Sequence, residues 1–306
     1  MSIKNWVKFI FLGLIWGSSF LWIKIALREV GPFTLVFFRV FFATLGLTVY
    51  FLILRRKLAL RWWWVYAFIG FFNVAFPFVL ISWAETHISS GLASILNSTV
   101  PLFTMLIASI FIKEDRLTVE RVIGLVVGFL GVMVLMYNKV ADQGDFQTLG
   151  IIAMLVAAGC YGVSSVFARR ADKYVTPEDH SMGQMAAGLI FITPAMFIAE
   201  SPFALPAIPM TWVAVAWLGL IGSFVAAVIW FGLIYEIGPS RTSMVTYMFP
   251  LVGILLGVLI LGETIELHHY LGGLLILAGI YFVNSKRFSQ LVAGIIRAPQ
   301  PGSSND

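Results

Sequence analysis

The chain consists almost entirely of long apolar segments separated by short polar connections. Most of the segments approach the roughly 20 residues that an α-helix needs to cross the hydrocarbon core of a bilayer. The ten segments cover residues 8–27, 33–54, 62–84, 90–112, 119–137, 150–168, 181–200, 210–235, 240–261 and 269–284. The pattern predicts an all-α polytopic membrane protein with ten transmembrane helices.

The basic residues fall on alternate sides of these segments. Sixteen of the 20 Lys and Arg residues lie in the N-terminus, in the even-numbered connections and in the C-terminal tail. The opposite connections hold only Arg28 and Lys139, while Lys24 and Arg39 lie inside predicted helices. Because cytoplasmic loops carry an excess of Lys and Arg, both termini are expected in the cytoplasm. The protein is therefore expected to be a multi-pass protein of the inner or plasma membrane.

Composition narrows the class of protein. Apolar residues make up 60% of the chain and charged residues 11%, whereas about 25% of residues in a soluble domain are charged. The lipid bilayer is thus the expected partner, and the basic loops indicate membrane orientation and not nucleic-acid binding. The single cysteine, Cys160, excludes an internal disulfide and a multi-cysteine metal site. We expect no cofactor or metal, and a monomer or weak homodimer.

A polar stretch at residues 138–149 divides the chain into two similar halves of five segments each. At shifts of 145 or 149 residues the matched pairs include Gly17 with Gly162, Ser19 with Ser164, Pro32 with Pro177, Ser94 with Ser243, Pro101 with Pro250 and Glu114 with Glu263. Because five is odd, the second half must enter the membrane from the opposite side, which predicts inverted repeats related by a pseudo-two-fold axis. The predicted organisation is a first repeat at 1–140, an inverted second repeat at 141–288 and a disordered cytoplasmic tail at 289–306.

Polar residues inside predicted helices are candidates for function, because a polar group in hydrocarbon is costly unless it is paired or faces water. Arg39 lies about 9 Å from the outer face at 1.5 Å per residue. It could hold an anionic group in a cavity, pair with Glu85, or serve as a structural or snorkelling charge. Lys24 is closer to the surface, where snorkelling is favoured.

Other polar and aromatic residues could line the same cavity. Asn73, Asn97 and Gln184 could bond a substrate or a neighbouring helix, and each aromatic residue could instead pack against lipid or core. The candidate lining residues are Trp16, Ser19, Arg39, Asn73, Asn97, Tyr161, Ser164, Gln184, Trp230 and Tyr247. The candidates for a gating or structural role are Lys24, Glu85, Pro101, Glu114, Pro250 and Glu263.

These motifs resemble a known family. The stretch Leu14–Phe20, followed by Lys24, Pro32 and Arg39, resembles the opening of ten-helix carriers in the EamA branch of the drug/metabolite transporter superfamily. Departures from the family pattern are Glu85 beside Ala84, and Tyr161 in place of tryptophan. The resemblance implies a central cavity built largely from the first four helices of each half, with the fifth helix of each half packed outside. It also implies export of amino acids, related metabolites or toxic compounds.

The leading interpretation is a secondary transporter that exports small polar or amphipathic metabolites by alternating access. A facilitative uptake carrier, a channel and a membrane-embedded enzyme are the alternatives. An enzyme is disfavoured, and no catalytic residue is nominated, because His87, His180, His268 and His269 fall in or beside predicted loops. No GxxxxGK[ST] phosphate loop occurs, so energy must come from gradients. The glutamates lie near predicted membrane boundaries, so no carboxylate for proton coupling is indicated.

Overall fold

The chain is helical in the computed structural model, which describes residues 2–111, 119–136, 146–171, 173–200, 205–237, 242–264 and 266–284. Within these ranges there is no β-strand. The ten helices of the described ranges are α1 (Ile3–Ala26), α2 (Pro32–Ile53), α3 (Leu60–Glu85), α4 (Ser90–Phe111), α5 (Val119–Met136), α6 (Phe146–Ala171), α7 (Pro177–Ala199), α8 (Pro209–Ile237), α9 (Met244–Leu261) and α10 (Leu267–Asn284).

The predicted all-α membrane architecture is confirmed. Eight of the described helices are long and apolar enough to cross a membrane, and α5 and α10 carry shorter apolar cores at Val122–Val134 and Leu267–Gly279. The count of ten crossings stays a prediction. The observed helix ends lie within five residues of the predicted ones. The proposed boundary between the repeats and the proposed tail fall outside the described residues.

Capping side chains explain where several helices begin. The hydroxyls of Ser2, Ser89 and Thr176 each accept a hydrogen bond from a backbone N–H in the first turn of the helix that follows. Such caps satisfy N–H groups that have no partner inside the helix. Pro32 and Pro177 begin α2 and α7, where a missing N–H costs nothing.

Four helices are interrupted, and the interruptions occur at corresponding places in the two halves. A π-helical turn occupies Gly70–Ala75 in α3 and Trp217–Val225 in α8. Helix α4 breaks between Asn97 and Val100, and α9 begins with a 3-10 turn at Met244–Tyr247. The sequence analysis did not anticipate the π-helical turns.

Prolines account for three of these interruptions. Proline has no N–H, so the carbonyl four residues earlier loses its helical partner. For Pro77 that carbonyl belongs to Asn73 in the π-helical turn, and for Pro101 it belongs to Asn97 at the break in α4. For Pro250 it belongs to Thr246 in the 3-10 turn. The predicted bends at Pro101 and Pro250 thus coincide with real breaks, while their part in gating stays a prediction.

The main helix–helix contacts follow a symmetric pattern: exchanging the first half with the second leaves this set of contacts unchanged. Helix α2 packs against α7, and α5 packs against α10. The contact of α1 with α9 has its counterpart in α6 with α4, and the contact of α3 with α6 has its counterpart in α8 with α1. A pseudo-two-fold axis would produce this pattern, which supports the predicted inverted repeats. Their orientation in a membrane stays a prediction.

Helices α5 and α10 approach each other closely through glycines. A Cβ added to Gly279 would meet the backbone of Gly124 and Gly128, and a Cβ added to Gly131 would lie 2.7 Å from the carbonyl oxygen of Gly272. Small residues at such positions allow two helix backbones to come together. Backbone proximity therefore contributes to the contact between these two helices.

We predict that Gly279→Ala lowers the stability of the protein by about 1–3 kcal/mol, because backbone atoms cannot move aside for a new methyl group. Gly232→Ala in α8 is the matched control, since no atom lies within 4 Å of its added Cβ. The control should be neutral or more stable by up to about 1 kcal/mol, through helix propensity. Thermal unfolding in detergent measures both. Equal midpoints for the two variants would contradict the close-packing account.

Candidate functional site

A central cavity lies between the two halves, with about 800 Å³ of empty space including the part open to solvent. Its described lining comes from α1, α2, α3 and α4 of the first half and from α6, α7, α8 and α9 of the second. Helices α5 and α10 contribute none of these lining residues. The cavity is thus built from the first four helices of each half, as the family resemblance implied.

Most of the predicted lining residues come together here. Those that line the cavity are Trp16, Ser19, Arg39, Asn73, Asn97, Tyr161, Gln184 and Trp230. Ser164 and Tyr247 are not among the described lining residues, and their neighbours Ser165 and Thr246 take those places. One step along a helix turns the side chain by about 100°, so an offset of one residue moves it off the cavity wall. Whether any of these residues binds substrate stays a prediction.

Arg39 is the only charged residue among the described lining residues. Its side chain is buried, its Nε donates to the Ser223 hydroxyl at 2.9 Å, and its guanidinium carbon lies 3.8 Å from the centre of the Phe78 ring. Among the described residues no acceptor bonds its Nη groups. The guanidinium is therefore held in place by one hydrogen bond and one ring, with donors left for cavity water or a ligand. Ser223, which the sequence analysis did not nominate, lies in the π-helical turn of α8.

Two amides join the halves across the cavity. The Nδ2 of Asn73 donates to the Oε1 of Gln184 at 2.8 Å, which links α3 to α7. Both side chains also line the cavity. Asn97 differs, because its buried Oδ1 has no hydrogen-bond partner in the described structure. A buried acceptor without a donor costs free energy, so Asn97 is the lining residue most in need of a ligand or water.

Aromatic rings form one wall of the cavity. Trp16 lies with its ring centre 5.1 Å from that of Trp230 and 6.2 Å from that of Phe249. The Trp16 Nε1 donates to the carbonyl oxygen of Gly222 at 2.8 Å. Gly222 lies in the π-helical turn, where backbone bonding departs from the regular helical pattern and a carbonyl can accept from a side chain. The interruption of α8 therefore positions one ring of the wall.

Two sets of hydrogen bonds lie at the predicted outer end of the protein, one within the first half and one between the halves. The Lys24 ammonium donates to the carbonyl oxygens of Glu85 at 2.5 Å and Ile88 at 2.8 Å. The Glu263 carboxylate accepts from the N–H and hydroxyl of Ser90, both at 2.8 Å, and from the N–H of Gly91 at 3.2 Å. We call Lys24, Glu85, Ser90 and Glu263 the outer gate. Lys24 was expected to snorkel outward, but it bonds the carbonyls that end α3, where a cation is favoured.

Two further carboxylates bond helix N-termini at this end of the protein. Glu200 accepts from the backbone N–H groups of Phe33 and Thr34 at 2.9 Å, at the start of α2. Glu29 accepts from the N–H of Ile208, next to the start of α8. A hydrogen bond with Thr211 is the largest cause that lowers the pKa of Glu29 below its usual value. Anions are favoured at helix N-termini, so these contacts tie the halves together.

Two buried titratable residues depart from the sequence analysis. Glu85 ends α3 near the predicted boundary, yet it is fully buried and neither carboxyl oxygen has a hydrogen-bond partner in the described structure. His180 was expected in or beside a loop, but it lies within α7, fully buried, with neither ring nitrogen bonded to a described residue. The remaining gating candidate, Glu114, falls outside the described residues. Local sequence carries no signal for such burial, because helices distant in the chain create it.

Comparison with known proteins decides the family. The EamA-like transporter family matches residues 5–137 and 148–285. The chain belongs to the EamA-like transporter family. It is 27% identical to a protein named as an uncharacterized transporter of Archaeoglobus fulgidus, over 93% of this chain and 100% of that one. It is 26% identical to a probable amino-acid metabolite efflux pump of Escherichia coli K12, over 92% of this chain and 95% of that one.

A protein of known crystal structure shares the fold of this EamA-like protein. The TM-score is 0.69 at 20% sequence identity, over 92% of this chain and 97% of that one. At this identity the likeness shows the fold alone. The family membership makes the protein a multi-pass membrane transporter, and the cavity described above is its candidate substrate site.

We predict that Glu263→Gln destabilises the protein by about 1–3 kcal/mol, because the new amide group would place donors against the donors of Ser90 and Gly91. Glu236→Gln is the matched control, since Glu236 forms an exposed ion pair with Lys8 whose loss costs at most about 1 kcal/mol. Thermal unfolding in detergent compares the two. A larger loss in the Glu236 variant would contradict the role given to Glu263.

Proposed function

We propose that this protein is a secondary transporter that exports small amphipathic metabolites carrying a carboxylate, such as amino acids and related compounds, by alternating access. The observation that carries the proposal is the environment of Arg39. It is the only charged side chain among the described lining residues, and it lies in a cavity with an aromatic wall. A cavity of this composition suits a ligand with one anionic end and one apolar end.

The parts of such a ligand each have a complement in the cavity. Arginine binds carboxylates through its planar fork of donors, and such charged hydrogen bonds are the stronger ones. Trp16, Trp230 and Phe249 offer apolar ring surface for a side chain. The unpartnered Oδ1 of Asn97 can accept a hydrogen bond from an amino group. This set favours an amino acid over a simple organic anion.

Alternating access is supported by the arrangement of the halves. Exchanging them maps their contacts onto themselves, and α3, α4, α8 and α9 are interrupted at corresponding places. In transporters built from inverted repeats with broken helices at the binding site, the two halves can exchange their conformations. This exchange closes the open face of the protein and opens the opposite face. The basic loops favour cytoplasmic termini, and with that orientation the outer gate would face outward. A similar protein named as a probable amino-acid metabolite efflux pump supports the outward direction.

An enzymatic activity is not proposed for the cavity. Its described lining holds no His, Cys, Asp or Glu side chain that could serve as an acid, base, nucleophile or metal ligand. The absence of a phosphate-binding loop in the sequence leaves ion or substrate gradients as the energy source.

Counterflow in proteoliposomes tests this proposal. Liposomes containing the purified protein are preloaded with one unlabelled amino acid, and uptake of its radiolabelled form is followed over a panel of apolar and aromatic amino acids. Each amino acid is compared with its decarboxylated amine. We expect saturable uptake of some amino acids and much weaker uptake of the matched amines, because Arg39 binds the carboxylate. Absence of saturable counterflow for every compound, or equal uptake of acids and amines, would overturn the proposed function.

Variants locate the activity in the cavity. Arg39→Ala should lower the transport rate by about 10- to 100-fold, which corresponds to losing a hydrogen bond to a charged group. Arg39→Lys should keep part of the activity, since it retains the charge without the fork. Arg170→Ala is the control, because Arg170 is an arginine at the protein surface that bonds the Phe111 carbonyl oxygen. Wild-type transport in Arg39→Ala would reduce Arg39 to a structural residue.

A further inference from the structure

Glu85 stands between the cavity and the predicted outer face. It lies four residues after Ile81 and seven after Phe78 in α3, so the three side chains share one face of the helix. Ile81 and Phe78 line the cavity, whereas Glu85 does not. The carboxyl group therefore sits about one helical turn outward from the cavity wall, inside the outer gate.

The charged side chains around Glu85 are engaged with other groups. Lys24 of α1, Arg39 of α2 and Glu263 after α9 are the ones near enough to interact with it electrostatically. Lys24 bonds two backbone carbonyls, and Arg39 bonds Ser223. Glu263 bonds the start of α4. None of the three donates to the Glu85 carboxyl, although the side chain is buried.

The other elements packed against this end of α3 add no partner. The first part of α4, Ser90–Asn97, contains no titratable side chain. Helix α6 presents Gly150 near the Ala84 carbonyl, and its titratable residues Cys160, Tyr161, Arg169 and Arg170 lie farther along the helix. His87 bonds the carbonyl oxygen of Trp83 and the hydroxyl of Thr86. Among the described residues, the Glu85 carboxyl is left without a donor on every side.

An ionised carboxylate in such a site is expensive. Burying a charge without hydrogen bonds costs several kcal/mol, and a neutral carboxylic acid avoids most of this cost. The neighbouring negative charge of Glu263 adds to the cost. The positive charge of Lys24 reduces it without supplying a hydrogen bond.

We propose that the Glu85 carboxyl is a proton-binding site, and that its protonation is required to close the outer gate. This proposal rests on the proposed function in one respect, which is that the outer face of the protein opens and closes. When the gate opens, water reaches the carboxyl and it ionises. When the gate closes, the carboxylate takes one proton from the outer water and becomes a carboxylic acid. The proton is taken from the outer water and returned to it, so this step makes closure of the gate depend on the outer pH and moves no net proton across the membrane.

The protonation itself can be measured without a reporter group or a substrate. Infrared spectra of the purified protein in detergent at pH 7 should contain a protonated-carboxyl C=O band that is absent from Glu85→Gln. Glu236→Gln is the control and should retain that band, because Glu236 forms an exposed ion pair with Lys8 and is not part of the outer gate. No difference between the wild type and Glu85→Gln in the protonated-carboxyl region would overturn the proposal.

The coupling to the gate needs a reporter. Cys160, the only cysteine, is replaced by alanine, and Ile88→Cys is introduced because Ile88 is buried at the gate beside the Lys24 contact. The maleimide labelling rate of this cysteine is measured in detergent and corrected for the intrinsic ionisation of the thiol. The corrected rate should rise by at least about tenfold between pH 6 and pH 9. The reason is that each pH unit can change the ratio of ionised to protonated carboxyl tenfold. Adding Glu85→Gln should hold the corrected rate low and constant across this range.

The outcomes separate the two proposals. A corrected labelling rate that rises equally in the Glu85→Gln protein would overturn the proton site and leave the exporter function untouched. Failure of amino-acid counterflow together with Glu85-dependent labelling would overturn the substrate assignment and keep the proton site.

The substitution Glu200→Gln in the same background is the control for a carboxylate at this face that has bonded partners, and it should keep the pH dependence.

Discussion

A polar group inside a membrane has to find its partner within the protein, because lipid offers none. In this EamA-like transporter several such partners come from the other half of the chain. Glu263 and Glu200 from the second half bond the starts of α4 and α2 in the first half. Lys24 differs, because it bonds carbonyls at the end of α3 in its own half. The starts of α2 and α4 are thus bonded across the interface, so moving the halves apart would expose them.

This constraint links the fold to the proposed activity. The breaks in α3, α4, α8 and α9 place carbonyls and side chains at the centre, where Trp16 bonds Gly222 and Asn73 bonds Gln184. Arg39 and Asn97 keep unused hydrogen-bonding capacity there, which is what a substrate would satisfy. Glu85 is the exception at the gate, since no described residue donates to its buried oxygens. A proton is the simplest ligand that removes this conflict, and it links closure of the gate to the pH of the outer water.

Much of the architecture could be predicted because helix length and the position of charges are local properties. The apolar segments gave helix ends within five residues, and the matched prolines indicated the breaks at Pro101 and Pro250. Most cavity residues were nominated because a polar side chain in a helix centre needs a partner or water, and an aromatic side chain there could line a cavity. Ser164 and Tyr247 were nominated one residue away from the positions that line the cavity. The reason is that the apolar pattern predicts a helix but does not determine the rotation of that helix about its axis. The partners of Lys24 and Ser223 and the burial of Glu85 could not be predicted, because they depend on helices distant in sequence.

The account depends most on the two halves crossing the membrane in opposite senses. A topology reporter fused after residue 140 and a second fused at the C-terminus, in separate proteins with the other end unmodified, test this arrangement directly. Five crossings per half place residue 140 outside the cytoplasm and the C-terminus within it, so the reporters should give opposite signals. The same compartment for both positions would contradict the inverted arrangement and, with it, the alternating-access proposal.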